Sequence, residues 1–281
     1  MDQSVVDLYD DYTHKPLHRR VFMERLLRLT GSAAAAALAL SVLESNYARA
    51  QTVPEADPRI KTGAFEIPGI KGYTAWPSAM DPDTARAVVI VIHENRGLTP
   101  HIKDVARHMA TEGFYALAPD FLSGLGGTPT DEDKARDIFA SLKQDDAVDM
   151  ARQIVASFKS RARMKFGAVG FCWGGSLVIA MACAVPELNA SVAYYGTAPA
   201  LDKVPAIKAA MLMHYAGLDQ RVNATMAPYE AALKAAGTRY QMQVYDGVNH
   251  AFNNDTSAER YNEAASKLAW GRTVGFFKAN L

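Results

Sequence analysis

One cysteine in this sequence has neighbours that suit a nucleophile. It lies in Gly170-Phe171-Cys172-Trp173-Gly174-Gly175. In a glycine-x-nucleophile-x-glycine turn the central residue takes a strained backbone, and the residues two before and two after must be small. Gly170 and Gly174 meet that need. With a strand before it and a helix after it, the sulfur would stand at a helix N-terminus. There the helix dipole favours a thiolate, and the Trp173 N–H can help to hold an oxyanion. A lone cysteine is more often a small buried hydrophobe, and Cys183 reads that way.

The groups that such a thiol needs follow in chain order. Met211-Leu212-Met213-His214-Tyr215 reads as a strand, and Gly217-Leu218-Asp219 comes after it. Tyr240 to Tyr245 reads as the last strand, and the loop Asp246-Gly247-Val248-Asn249-His250 comes next. Asp246 competes for the role of acid, but it precedes His250 by only four residues in one loop. Nucleophile, acid and histidine, each at a strand end, point to acyl chemistry. His250 takes the thiol proton or holds it as an ion pair, and Asp219 fixes the imidazole tautomer. Cys172 attacks a carbonyl, and an acyl-thioester forms and is hydrolysed.

Other chemistries fit less well. His93-Glu94 would open an HExxH zinc motif, but position 97 is Gly97, and His101 lies beyond a glycine and a proline. No metal ligand set closes. A redox couple is also disfavoured, because there is no C-x-x-C. Cys183 is one long helical span from Cys172, about 16 Å at ~1.5 Å per residue. Two free thiols are expected. A non-catalytic ligand-binding protein on the same fold is the alternative that fold alone never excludes.

The elements that must position these residues alternate from about residue 60. Ala87 to Ile92 is a continuous apolar, β-branched run, as a buried parallel strand requires. His101 to Glu112 reads as a helix stopped by Gly113, and Phe114 to Ala118 as a strand ended by Pro119-Asp120. Residues 123–130 form a Gly/Ser/Thr/Pro-rich loop, and 131–160 a helical region broken near Lys143. Strands follow at 166–169, 191–195 and 210–215, with helices at 176–184, 229–236 and 259–278. This order predicts an α/β fold of the α/β-hydrolase type: a mostly parallel sheet with helices on both faces, forming one domain over residues 51–281.

The sequence resembles the dienelactone hydrolase family from about Gly63 to Leu281. The marks are Gly-Phe-Cys-Trp-Gly-Gly at 170–175, Tyr194-Tyr195-Gly196, Gly217-Leu218-Asp219, His250-Ala251-Phe252, and Val91-Ile92-His93-Glu94-Asn95-Arg96-Gly97. The resemblance implies a carboxymethylenebutenolidase-like ester or lactone hydrolase that uses Cys, His and Asp without metal or cofactor. It implies that Glu94 meets the nucleophile and helps to ionise it. It also implies that the N–H of Asn95 pairs with that of Trp173 in the oxyanion hole, and that Tyr195 lines the site. Phe252 is a further candidate for the cleft wall. The family's substrate-binding arginine four residues after the histidine is here Asn254, and a second one corresponds to Arg136. The missing guanidinium removes a bidentate contact to a substrate carboxylate, so the reaction class is better indicated than the substrate.

The first fifty residues differ in character. Arg19-Arg20-Val21-Phe22-Met23 is followed by an apolar run from Gly31 to Leu43 and by Ala48-Arg49-Ala50. Twin arginine, apolar stretch and A-x-A site read as a signal for the twin-arginine export machinery. The apolar run is about thirteen residues, against the ~20 that a spanning helix needs. The expectation is a leader over residues 1–50, removed on export and excluded from the fold. The mature chain would be periplasmic, or cytoplasmic if the leader does not function. The n-region is unusually long and acidic, with Asp7, Asp10 and Asp11. The chain carries 30 basic and 30 acidic residues, which offers no charge-driven attraction to nucleic acid or an anionic membrane. The expected partner is a small-molecule ester or lactone.

Overall fold

The computed structural model describes residues 1–15, 17–44, 46, 52–158 and 164–281. Its centre is an eight-stranded sheet. β1 (Ile60–Ile67) and β2 (Ile70–Pro77) form a hairpin whose tight turn places Gly69 at a φ of 79°. β3 (Ala87–Ile92), β4 (Tyr115–Asp120), β5 (Lys165–Phe171), β6 (Leu188–Tyr194), β7 (Ala210–Ala216) and β8 (Tyr240–Tyr245) run parallel. The order is β1-β2-β4-β3-β5-β6-β7-β8, with β2 joined antiparallel to β4. The expected α/β-hydrolase-type sheet is what forms.

Both faces of the sheet are covered, which explains the unbroken apolar strands. Val88, Ile90 and Ile92 of β3 belong to the core on one face, which α6 (Gln144–Ser157), α7 (Trp173–Ala184) and α9 (Met226–Ala236) share. Val89 and Val91, pointing the other way, pack under α4 (Pro100–Thr111) and α10 (Glu263–Asn280). A side chain buried on each side of a period-two strand leaves no polar face to alternate with.

Several boundaries move for physical reasons. β4 continues through Pro119 because Pro119 lies opposite Gly72. A Cβ on Gly72 would come within 2.8 Å of the Ala118 carbonyl, so only glycine allows that approach. The helical region after residue 131 divides into α5 (Glu132–Phe139) and α6, with Lys143 capping the second. α10 starts at Glu263 rather than Glu259, because the Asn262 side chain accepts from the Ala265 N–H and sets the N-cap there.

The largest difference lies at the N-terminus. Residues expected outside the fold form three helices: α1 (Gln3–His14), α2 (Arg19–Thr30) and α3 (Ala33–Leu43). They share a small core of their own, in which Phe22, Leu26 and Leu43 are fully buried with Tyr9, Tyr12 and Ala36. The chain bends by 113° between α2 and α3, where Gly31 takes a left-handed φ of 74°. Among the described residues, no single helix is long and apolar enough to cross a membrane. The Ala48-Arg49-Ala50 site lies outside the described residues. Just beyond it, the Thr52 N–H and hydroxyl and the Val53 N–H all donate to Asp104, while Arg107 Nε donates to the Val53 carbonyl.

Candidate active site

Cys172 sits between β5 and α7 as the N-cap of that helix, with φ 58° and ψ −114°. The glycines around it are steric necessities. A Cβ on Gly170 would fall 2.1 Å from the Gly174 carbonyl oxygen, one on Gly174 2.5 Å from that of His93, and one on Gly175 2.4 Å from that of Tyr194. The turn holds the sulfur above the C-terminal edge of the sheet, where α/β folds collect their ligands. Cys172 and Cys183 are both free thiols. Partial burial pushes the Cys183 thiol up to about 11, which leaves it unreactive at neutral pH.

Asp219 follows β7 and caps α8 (Gln220–Asn223), its Oδ1 accepting from the Val222 N–H at 3.0 Å. Its Oδ2 lies 2.5 Å from Nδ1 of His250, and both side chains are buried. Burial alone would raise the Asp219 carboxyl. The hydrogen bond and charge of His250, with the Val222 N–H, outweigh it and hold the carboxyl below its ordinary value. Nε2 of His250 is buried with no hydrogen-bond partner among the described residues.

The other sequence-derived residues divide into those that meet the site and those that support it. Tyr195, at a positive φ of 39°, lies 4.7 Å from the His250 ring, whereas Tyr194 turns into the core and bonds Thr273. Glu94 lines the small cavity at Cys172, as do Asn95 and Arg96. Asn254 does not line it. Its Nδ2 donates to Glu94 at 2.8 Å and its Oδ1 accepts from Thr256, so Asn254 orients Glu94 instead of facing a substrate. Phe252 is fully buried against Tyr195 and Tyr245 and belongs to the core. The loop turns both inward through Ala251, which takes a φ of 64°. The Arg136 guanidinium stacks 4.2 Å from the Tyr12 ring. His93 is internal: it takes the Phe121 N–H on Nε2, so Nδ1 carries the proton to the Glu94 carbonyl at 2.6 Å. Burial lowers its pKa and keeps the ring neutral.

Sequence reasoning missed the groups brought by α1. Nε2 of His14 lies 3.0 Å from the Cys172 sulfur, and the His14 ring meets that of His250 edge-on at 4.6 Å. Nδ1 of His14 faces Asp10, one turn earlier, bonding its carbonyl at 2.8 Å and pairing with its carboxylate at 3.1 Å. Burial would lower the His14 pKa, but the Cys172 sulfur and the Asp10 carboxylate raise it to about 9. Asp10 is held well below the usual carboxylate range. Its burial is outweighed by the His250 and His14 imidazoles and by Arg221, 3.7 Å away. Donor atoms of His14, Cys172 and His250 lie within 4.8 Å of one another, as do those of Asp10, Asp219 and His250. In the first set His14 bonds Cys172, and in the second His250 bonds Asp219. The arrangement can move protons between one thiol and two imidazole–carboxylate pairs. The one signal for this in the sequence was a cluster of Tyr9, Asp10, Tyr12 and His14 in a segment too long and acidic for an ordinary leader.

Comparison with known proteins fits this geometry. The model of the "Dienelactone hydrolase family" matches residues 70–281, which include all eight residues of β2 and every later element. The chain belongs to the dienelactone hydrolase family. It is 36% identical over 233 residues to "Protein usf" of Aquifex pyrophilus, covering 77% of this chain and 97% of that protein. It is 33% identical over 242 residues to the "Putative carboxymethylenebutenolidase" of Salmonella typhi, covering 79% and 88%. Among solved structures, the "Putative Dienelactone Hydrolase" of Klebsiella pneumoniae superposes with a TM-score of 0.69 at 28% identity, over 78% of this chain and 98% of that one. The match begins after α1, α2, α3 and β1.

Proposed function

We propose that this chain hydrolyses a small ester or lactone through a Cys172–His250–Asp219 triad. The observation that carries the reading is the strained Cys172 at the head of α7, beside a buried His250 whose other nitrogen is fixed by Asp219 at 2.5 Å. With Nδ1 committed to the carboxylate, His250 presents Nε2 to the nucleophile's side and takes the thiol proton. The thiolate attacks the carbonyl, the N–H groups of Trp173 and Asn95 hold the oxyanion, and the leaving alcohol takes a proton from His250. Water then attacks the acyl-thioester, activated by the same imidazole. Glu94, steadied by Asn254, assists ionisation of the thiol. Arg136 is a cation for an anionic part of the substrate, and Tyr195 packs behind His250.

The segment up to residue 50 acts in this reading as a twin-arginine export signal that delivers the enzyme to the periplasm. Arg19-Arg20, the apolar α3 and Ala48-Arg49-Ala50 support it. Hydrolysis of p-nitrophenyl acetate by a chain beginning at Gln51, beside Cys172→Ala and His250→Ala, tests the catalytic reading. Turnover by the parent and background rates in both variants are expected. A folded, reduced and inert parent overturns it.

A further inference from the structure

The space in front of the nucleophile is filled by the chain's own N-terminus. The cavity lined by Cys172, Glu94, Asn95 and His250 has a volume of about 30 Å³, roughly the share of one water molecule in the liquid. Tyr9, Thr13 and His14 of α1 close it, with Arg96, Ala251 and Arg260 completing the wall. A larger cleft of about 450 Å³ runs alongside, between α1 and the Asp219 and His250 loops, but Cys172 does not line it. Substrate-sized room therefore exists near the triad but not at the sulfur.

What closes the site is built with specific contacts. His14 occupies the hydrogen-bonding position on the sulfur, at 3.0 Å, while Nε2 of His250 is left without a partner. The Thr13 carbonyl takes the Asn95 Nδ2 hydrogen bond at 2.6 Å. Further out, the Tyr12 hydroxyl and Arg19 both reach Asp133, Arg136 lies on the Tyr12 ring, and Arg260 lies on the Tyr9 ring. The His14–Cys172 contact joins the last residue of α1 to the N-cap of α7. The segment has its own small core, so it can leave or dock as a unit.

We propose that residues 1–44 are an internal plug on the nucleophile: docked, they hold Cys172 through His14 and exclude substrate, and their release opens the site. The exclusion of substrate rests on the hydrolase reading above; the covering of the thiol does not. In the docked state the thiol is engaged by an imidazole that no substrate can displace without moving α1. In the released state His250 is left as the imidazole beside the sulfur.

The test uses the full chain with a site-specific protease sequence in place of residues 47–51. Iodoacetamide alkylation of Cys172 is followed by peptide mass spectrometry, and p-nitrophenyl acetate hydrolysis is measured in the same samples. After cleavage and removal of the segment by gel filtration, the alkylation rate should rise by at least ~10-fold, as expected if the closed form exceeds nine-tenths of the population. Leu26→Asp in the uncut chain places a carboxylate in the segment's core and should give the same rise without cleavage. His14→Ala should give a smaller one. Equal alkylation in the uncut chain, the cut chain and Leu26→Asp overturns the plug, as does hydrolysis that falls when the segment is removed. Faster alkylation with no hydrolysis in any form keeps the plug and overturns the hydrolase reading. Hydrolysis by the uncut chain equal to that of the cut chain does the reverse.

Discussion

Two imidazole–carboxylate pairs converge on one thiol, and they are built differently. His250 and Asp219 come from loops after β8 and β7, anchored by the parallel sheet and by the α8 N-cap. His14 and Asp10 sit one turn apart on a 12-residue helix that packs mainly on its own two companions. The sheet-borne pair has the short 2.5 Å internal bond and an unpartnered Nε2; the helix-borne pair has the looser internal contacts and the bond to sulfur. On the proposed readings, the fixed pair with a free nitrogen works on substrate and the pair on the separable element holds the thiol.

The sharpest way to break this comparison is to remove each histidine in turn. In the chain freed of its segment, His250→Ala should lower kcat/KM for p-nitrophenyl acetate by roughly 10³-fold or more, as loss of a triad imidazole does. In the full chain, His14→Ala should raise the rate. If His14→Ala is as damaging as His250→Ala, the working base is the helical one. Next in size is Asp219→Asn, which leaves the imidazole in place but removes its tautomer control. A loss on the order of 10²–10⁴-fold in kcat is expected, with KM nearly unchanged.

Titration sharpens the comparison further. The folded pKa of His14 is raised to about 9 from the 6.5 of an open imidazole. Its contribution to docking is therefore complete below about pH 6.5 and fades as pH rises through about 9. The groups facing it are Cys172, Asp10 and His250, with Glu94, Asp219, Arg221 and Arg260 nearby. Alkylation of the full chain, divided by that of the cut chain at each pH, should climb between pH 7 and 9, and it should stay flat in His14→Ala. Asp219 behaves oppositely. Its lowered carboxyl gives stability above its unfolded value near ~4 that is lost on acidification, visible as a falling Tm below about pH 4.

The smallest effect comes from the rim. Tyr12→Phe removes one hydroxyl bond to Asp133 and keeps the ring under Arg136. A neutral-to-charged hydrogen bond contributes about 1.5–3 kcal/mol, less at a partly exposed site, so a few-fold gain in alkylation of the uncut chain is expected.

The residues legible from sequence were those whose constraints are local. The Gly170–Gly174 spacing is dictated by clashes within one turn, and Ala87–Ile92 reads as a strand because both of its faces are apolar. Asp219 and His250 were legible because each lies in the loop that follows a strand. Phe252 and Asn254 were misplaced because the Ala251 turn, not the side-chain type, decides which way they face. The packing of the N-terminal segment was illegible for a different reason. An alanine-rich apolar run suits an export signal and a packed helix equally well, and the contact of His14 with Cys172 spans 158 positions that no local pattern connects.

The ties of Thr52 and Val53 to Asp104 and Arg107 carry one more consequence. An exopeptidase nibbling from a fresh end near residue 51 meets backbone that is already knotted to α4 within two residues. It cannot thread that strand into its own cleft without tearing a buried carboxylate–guanidinium pair open. If the proposed removal of residues 1–50 takes place, trimming should stop at these ties, and N-terminal sequencing of the cut chain should find one uniform beginning just before Thr52.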